Sequence, residues 1–185
     1  MPIKRPPEPT LSGKWPVTIT YLKMEDRPAH AMLPAPAAPH AIIKAENPTV
    51  SFYRYLYDTV GRDWAWTDRK KLTDAALETI ITSSTTEIYV LYIKGVPAGF
   101  AELNKADIPE AIDLAYFGIM PEFIGMKMGP YFLSWALEEA WRDDPATVTV
   151  NTCTLDHPKA LPMYQRFGFQ PIRQQELEID PVIES

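Results

Sequence analysis

The sequence predicts a single α/β domain, and three observations predict it. The chain has 185 residues, the size of one domain with a core of its own. Runs with the alternating pattern of strands occupy its middle, from Glu87 to Ile119. After Gly129 the apolar spacing lengthens to that of a helix, and it returns to alternation at Thr147.

Proline sets the first boundary. Ten of the nineteen prolines precede Thr49 and none lies between Thr49 and Val96, so a proline-rich extended segment leads into a regular body. Residues 1–14 are expected to be flexible, and 15–86 to supply a strand, a loop and two helices on the substrate side. Val17, Ile19 and Tyr21 alternate within a first strand, Trp15–Met24. Arg27–His40, with four prolines and five alanines, reads as a surface loop. Helices follow at about Val50–Val60 and Lys70–Ser83. The second has Thr67 or Asp68 as candidate cap and Leu72, Ala75, Ala76 and Ile80 as its apolar stripe. Residues 87–180 form the second part of the same domain. Glu87–Ile93 and Val96–Glu102 are strands joined by Lys94-Gly95, a two-residue hairpin connection, and Ala111–Ile119 is a third, bounded by Pro109 and Pro121. Phe132, Leu133, Ala136, Leu137, Ala140 and Trp141 recur at helical spacing, with Ser134, Glu138, Glu139 and Arg142 outside the stripe. Thr147–Cys153 alternates as a strand, Pro158–Phe167 is a short helix, and a last strand region covers 169–179.

Composition narrows the function. A net charge of −6 opposes a duplex nucleic-acid surface, which needs clustered cations; the one dense basic run, Arg69-Lys70-Lys71, reads as a solvated helix face. No apolar run approaches the roughly 20 residues that cross a bilayer. The proline-rich, polar N-terminus is unlike an export leader, and a single cysteine, Cys153, rules out an internal disulfide. A cytoplasmic protein without a membrane partner is the expectation. His30, His40 and His157 lie far apart without metal-ligand spacing, so no metal is expected.

The most informative stretch is Ile119–Gly129, Ile-Met-Pro-Glu-Phe-Ile-Gly-Met-Lys-Met-Gly. It is a loop between a strand and a helix that holds two of the eight glycines. A helix start has unpaired N–H groups and a partial positive charge, so such a loop gathers donors around an anion. The stretch therefore reads as a pyrophosphate cradle.

Hairpin, strand, Pro-Glu-x-x-Gly-x-x-x-Gly loop, helix, strand and then Tyr164-Gln165-Arg166-Phe167-Gly168-Phe169: this order resembles the GNAT superfamily of acetyl-coenzyme A dependent N-acyltransferases, over about Glu87 to Ile179. The family's loop pattern is Arg/Gln-x-x-Gly-x-Gly/Ala. Ile124 stands here at the Arg/Gln position, Lys127 at the first Gly position, and Gly129 matches the last. The resemblance implies a mixed, mostly antiparallel central sheet with helices on both faces and a V-shaped split between two central strands. It implies acetyl-coenzyme A as cosubstrate, its pyrophosphate on the amides of Ile124, Gly125, Met126, Lys127, Met128 and Gly129. Amides near Gly118 and Ile119 would polarise the acetyl carbonyl. Tyr164 matches the tyrosine that protonates the departing thiolate, a role suited to a phenol that is neutral at pH 7. His157 stands where the family often places a coenzyme-contacting asparagine; with Asp156 it is equally a candidate helix cap. Asp113 lies near the position of the general base in some members, on a strand face with Ala115, Phe117 and Ile119 by alternation; Glu102 is the reserve, and a solvated Asp113 is the alternative.

The implied activity is transfer of acetyl to a primary amine of a small-molecule or peptidic acceptor by direct attack. A noncatalytic acyl-coenzyme A or nucleotide-sensing domain is the other reading. Phe52, Tyr53, Tyr55, Tyr57, Trp64 and Trp66 concentrate aromatic surface in the first half. Tyr53 and Tyr57, with Trp64 or Trp66, could wall the acceptor pocket, and monomer and homodimer stay open.

Overall fold

A computed structural model describes residues 7–28, 32–64 and 66–180. Its strands are β1 (Trp15–Met24), β2 (His40–Lys44), β3 (Thr86–Ile93), β4 (Val96–Asn104), β5 (Ala111–Ile119), β6 (Thr147–Cys153) and β7 (Gln170–Ile179). Its helices are α1 (Val50–Gly61), α2 (Asp74–Ile81), α3 (Met128–Ala140) and α4 (Ala160–Arg166). One seven-stranded sheet runs in the order β2-β3-β4-β5-β6-β1-β7. Every neighbouring pair is antiparallel except β5 and β6, which are parallel. No described helix is long and apolar enough to cross a membrane.

The sheet carries a core on each face. Tyr53, Leu56, Tyr57 and Val60 of α1 and Leu77 and Ile81 of α2 pack on Ile88, Val90 and Phe100. On the other side Phe132, Leu133, Ala136 and Leu137 of α3 cover Leu91, Ala101, Leu103, Ile112 and Leu114. The β3–β4 connection takes the two left-handed residues of a tight hairpin turn, Lys94 at φ 50° and Gly95 at φ 82°.

Several local expectations are corrected. Part of the loop after β1 lies over α3, and the Leu33 N–H donates to the Ser134 hydroxyl at 2.9 Å, so Ser134 is buried rather than exposed. β2 is a strand without a local signature: it is a sheet edge defined by long-range pairing with β3, and Ile43 is exposed on it. Arg69–Lys71 forms a separate 3-10 turn, and α2 is capped by Thr73, whose hydroxyl accepts the Ala76 N–H at 3.3 Å. In this two-turn helix the larger Leu77 and Ile81 reach the core, while Ala75 and Ala76 face solvent. Pro162 is the third residue of α4, where a helix has no partner for an N–H, so it costs no hydrogen bond. Of residues 1–14, expected to be flexible, 1–6 lie outside the described residues. Thr10–Lys14 forms a hydrogen-bonded turn whose Ser12 hydroxyl donates to Glu178 on β7.

Two features of β5 shape the cleft. Glu102 lies opposite Tyr116 but Leu103 opposite Leu114, so Ala115 is an extra residue, a β-bulge. The bulge breaks the expected alternation. Ile112 and Leu114 before it, and Phe117 and Ile119 after it, all join the α3-side core, so Asp113 does not share a face with Phe117 and Ile119. Secondly, β5 pairs with β6 only from Ala111 to Leu114, opposite Thr147 to Val150. Beyond that point β5 stays with β4 as far as Ile119, and β6 stays with β1 as far as Cys153. The parallel strands part and leave a V-shaped split.

Candidate active site

The loop above the split begins with a 3-10 turn, Pro121–Phe123, and passes through Gly125 at φ 90° and Lys127 at φ 60° before α3 starts. Two of its amides turn inward: Ile124 N–H donates to Pro121 O at 3.2 Å and Met126 N–H to Phe123 O at 3.3 Å. The N–H groups of Gly125 and Lys127 have no hydrogen-bond partner among the described residues. Those of Met128 and Gly129 belong to the first turn of α3, which cannot pair them. Uncommitted donors thus cluster at the positive end of a 13-residue helix. The left-handed angle at Lys127 falls where the family pattern has glycine. Lysine adopts it at a cost of about 1–2 kcal/mol.

The β5 edge facing the split is read from its ladder. Met120 N–H donates to Ala98 O at 2.8 Å. Antiparallel alternation then turns the main-chain groups of Gly118 toward β4 and those of Phe117 and Ile119 toward the split. Ile119 therefore has the orientation expected of an amide lining the split, and Gly118 does not. Gly118 answers a packing demand instead: a Cβ there would stand 2.2 Å from Val60 Cγ1 of α1.

Tyr164 projects from α4 with its ring buried, edge-to-face on Phe169 at 5.8 Å between centroids. Burial pushes its phenol well above the ordinary value, with Asp156 and Asp113 adding to the effect, so the hydroxyl keeps its proton at neutral pH. Three carboxylates have to be compared as bases. Glu102 is closed off: it is 1% exposed, one oxygen takes the Tyr53 hydroxyl and the other takes Arg69 Nη2 at 2.6 Å. Asp156 is fully engaged, by Trp66 Nε1 at 3.3 Å on Oδ1, and by the Thr152 hydroxyl at 2.7 Å and the Cys153 N–H at 2.8 Å on Oδ2. Asp113 accepts the Thr149 hydroxyl on Oδ1 at 2.6 Å, and its Oδ2 has no hydrogen bond among the described residues. Burial raises the Asp113 pKa, against the Thr149 hydrogen bond, which lowers it.

His157 braces the turn that leads into α4. Its Nδ1 accepts the Lys159 N–H at 3.1 Å, its carbonyl accepts the Ala160 N–H at 2.8 Å, and its ring meets Trp64 edge-on at 4.9 Å. Burial and the neighbouring Lys159 both lower its pKa, which keeps Nδ1 free to accept. Tyr53 and Tyr57 are core residues rather than pocket walls. Tyr57, Trp66 and Tyr116 pack together with ring centroids 5.1–5.3 Å apart, and the cation over Tyr116 is the protein's own Arg69, at 5.1 Å.

With this geometry in place, the chain matches the family model described as "Acetyltransferase (GNAT) domain" over residues 59–180. The chain belongs to the GNAT acetyltransferase family. No curated protein matches it by sequence. Among solved structures, this GNAT chain is similar to a tandem GNAT protein from the clavulanic acid biosynthesis pathway at 16% identity and TM-score 0.61, covering 90% of this chain and 55% of that one. It is similar to a GCN5-related N-acetyltransferase from Kribbella flavida at 15% identity and TM-score 0.58, covering 88% and 59%. It is also similar to the aminoglycoside N-acetyltransferase AAC(6')-Iy, solved in complex with CoA, at 17% identity and TM-score 0.53, covering 76% and 95%. At these identities the likeness is one of fold. The chain spans 62%, 55% and 50% of the length of three of the structures it matches.

Two site residues of this GNAT domain escape a sequence reading. Arg69 belongs to the basic run read as a solvated face, yet its side chain is 18% exposed and paired with Glu102, while Lys70 pairs at the surface with Asp58. Asp156, foreseen only as a cap, ties the Trp66 segment to the end of β6. Nothing local marks the Arg69–Glu102 or the Trp66–Asp156 contact, whose partners stand 33 and 90 residues apart.

Proposed function

We propose that this GNAT domain transfers an acetyl group from acetyl-coenzyme A to a primary amine of a small-molecule or peptidic acceptor. The supporting observation is the set of uncommitted donors at Gly125, Lys127, Met128 and Gly129, at the head of a split between parallel strands. In this reading those amides take the pyrophosphate, and the Ile119 edge of β5 polarises the thioester carbonyl. The amine attacks that carbon directly and its proton leaves to Asp113, the carboxylate with an uncommitted oxygen. The carbon–sulfur bond then breaks, and Tyr164 gives its proton to the thiolate. The step needs no covalent acyl-enzyme.

Incubation with radiolabelled acetyl-coenzyme A and a panel of amines tests the proposal. Label in an N-acetyl product supports it. Coenzyme binding without product on any amine would replace it with the sensing role, and no binding would remove both.

A further inference from the structure

Two stretches of this acidic chain, residues 123–137 and 157–175, contain no Asp or Glu, although the protein has 24 of them. The fold brings the two together. A Cβ on Gly129, at the start of α3, would stand 4.0 Å from Met163 Sδ on α4. Lys159 lies four residues before Met163 and Arg166 three after it, so both flank the side of α4 that meets the loop. They are exposed and, with Pro162 and Gln165, line an open concavity of about 570 Å³. Neither forms an ion pair among the described residues, and Lys127 in the loop forms none.

Unpaired cations beside a cradle for one anionic group call for a second anionic group on the same ligand. Coenzyme A carries one: besides its pyrophosphate it has a phosphomonoester on the ribose 3′ oxygen, close to a dianion at pH 7. We propose that Lys159 and Arg166 hold this 3′-phosphate, so that the site selects coenzyme A over its 3′-dephospho form. The assignment rests on the pyrophosphate reading above. It adds a discrimination that main-chain donors alone cannot supply, because amides at Gly125–Gly129 would treat the two nucleotides alike. Arg166 offers the planar fork suited to two phosphate oxygens, and Lys159 adds a point charge.

Calorimetric titration with coenzyme A and with 3′-dephospho-coenzyme A tests this. Wild-type protein is expected to bind coenzyme A about tenfold more tightly, from two charge-assisted contacts on an open surface. The double variant Lys159→Ala/Arg166→Ala should bind both nucleotides at the weaker level with an unchanged melting temperature. Lys127→Ala should weaken both equally. Equal affinities in wild type, or a preference that survives in the double variant, would overturn the 3′-phosphate assignment alone. Failure of wild type to bind either nucleotide would overturn the pyrophosphate reading with it.

Discussion

On the α3–α4 side of the cleft, main-chain donors and cationic side chains stand uncommitted. On the α1–α2 side Glu102, Arg69, Tyr53 and Tyr57 are already bound to one another, and Trp66 is bound to Asp156 in the turn after β6. The difference teaches that the two halves of one cleft meet different physical demands. The proposed anion site, made of amides, would need only a loop shape and open donors, and would therefore tolerate Ile124 and Lys127 at positions where the family pattern has Arg/Gln and Gly. The other half fixes its shape beforehand, with a buried ion pair and packed rings as scaffolding. Lesions on the first side should therefore appear in binding or rate, and lesions on the second in stability.

The largest expected effect is on rate. Tyr164→Phe should lower kcat by about a hundredfold or more while acetyl-coenzyme A affinity holds, as for loss of a general acid. A matching fall in affinity would show the hydroxyl to serve binding rather than proton transfer and weaken the contrast. Arg69→Met leaves Glu102 buried without its cation, and should cost about 3 kcal/mol of unfolding free energy in urea, with a smaller change in coenzyme affinity. Gly129→Leu sharpens the comparison from the other side. Ile119 Cγ1 and Met163 Sδ stand 3.8 and 4.0 Å from a Cβ there, so larger side chains crowd the loop and should weaken coenzyme binding about tenfold or more. Tyr53→Phe removes one hydrogen bond to the Glu102 carboxylate and should cost about 1.5 kcal/mol of stability.

The smallest effect concerns pH. Asp113 has its pKa raised in the folded state, so the native protein holds that proton more tightly than the unfolded chain does. Its stabilising contribution is then full below the ordinary Asp value and is lost as pH rises through the raised one. Asp113→Asn should accordingly be more stable than wild type at pH 7, with the gap closing below about pH 4. In the wild type, kcat should fall as acid protonates Asp113. An acid limb that persists unchanged in Asp113→Asn would remove Asp113 from the role of base.

Much of the fold was legible because local pattern and tertiary role coincide. β1 and β5 have the bounds expected of them, and Phe132, Leu133, Ala136, Leu137 and Ala140 of α3 are buried as their helical spacing requires. The family resemblance was carried by the order of hairpin, strand, loop, helix, strand and the Tyr164–Phe169 segment, which lie along one stretch of the chain. What was not legible depends on contacts across sequence. Ser134 reads as a surface residue until Leu33 reaches it. Arg69 reads as solvated until Glu102, 33 residues away, draws it inward. Tyr53 and Tyr57 look like a free aromatic wall because helical spacing cannot say that α1 lies flat on Phe100 and Tyr116.

The single surplus residue at Ala115 has a consequence for how this domain can change. Deleting it would set Leu114 and Tyr116 next to each other on opposite faces, a regular ladder against Leu103 and Glu102, so Tyr116, Phe117 and Ile119 would all keep their sides. The strand can thus lose one residue at this point without turning over.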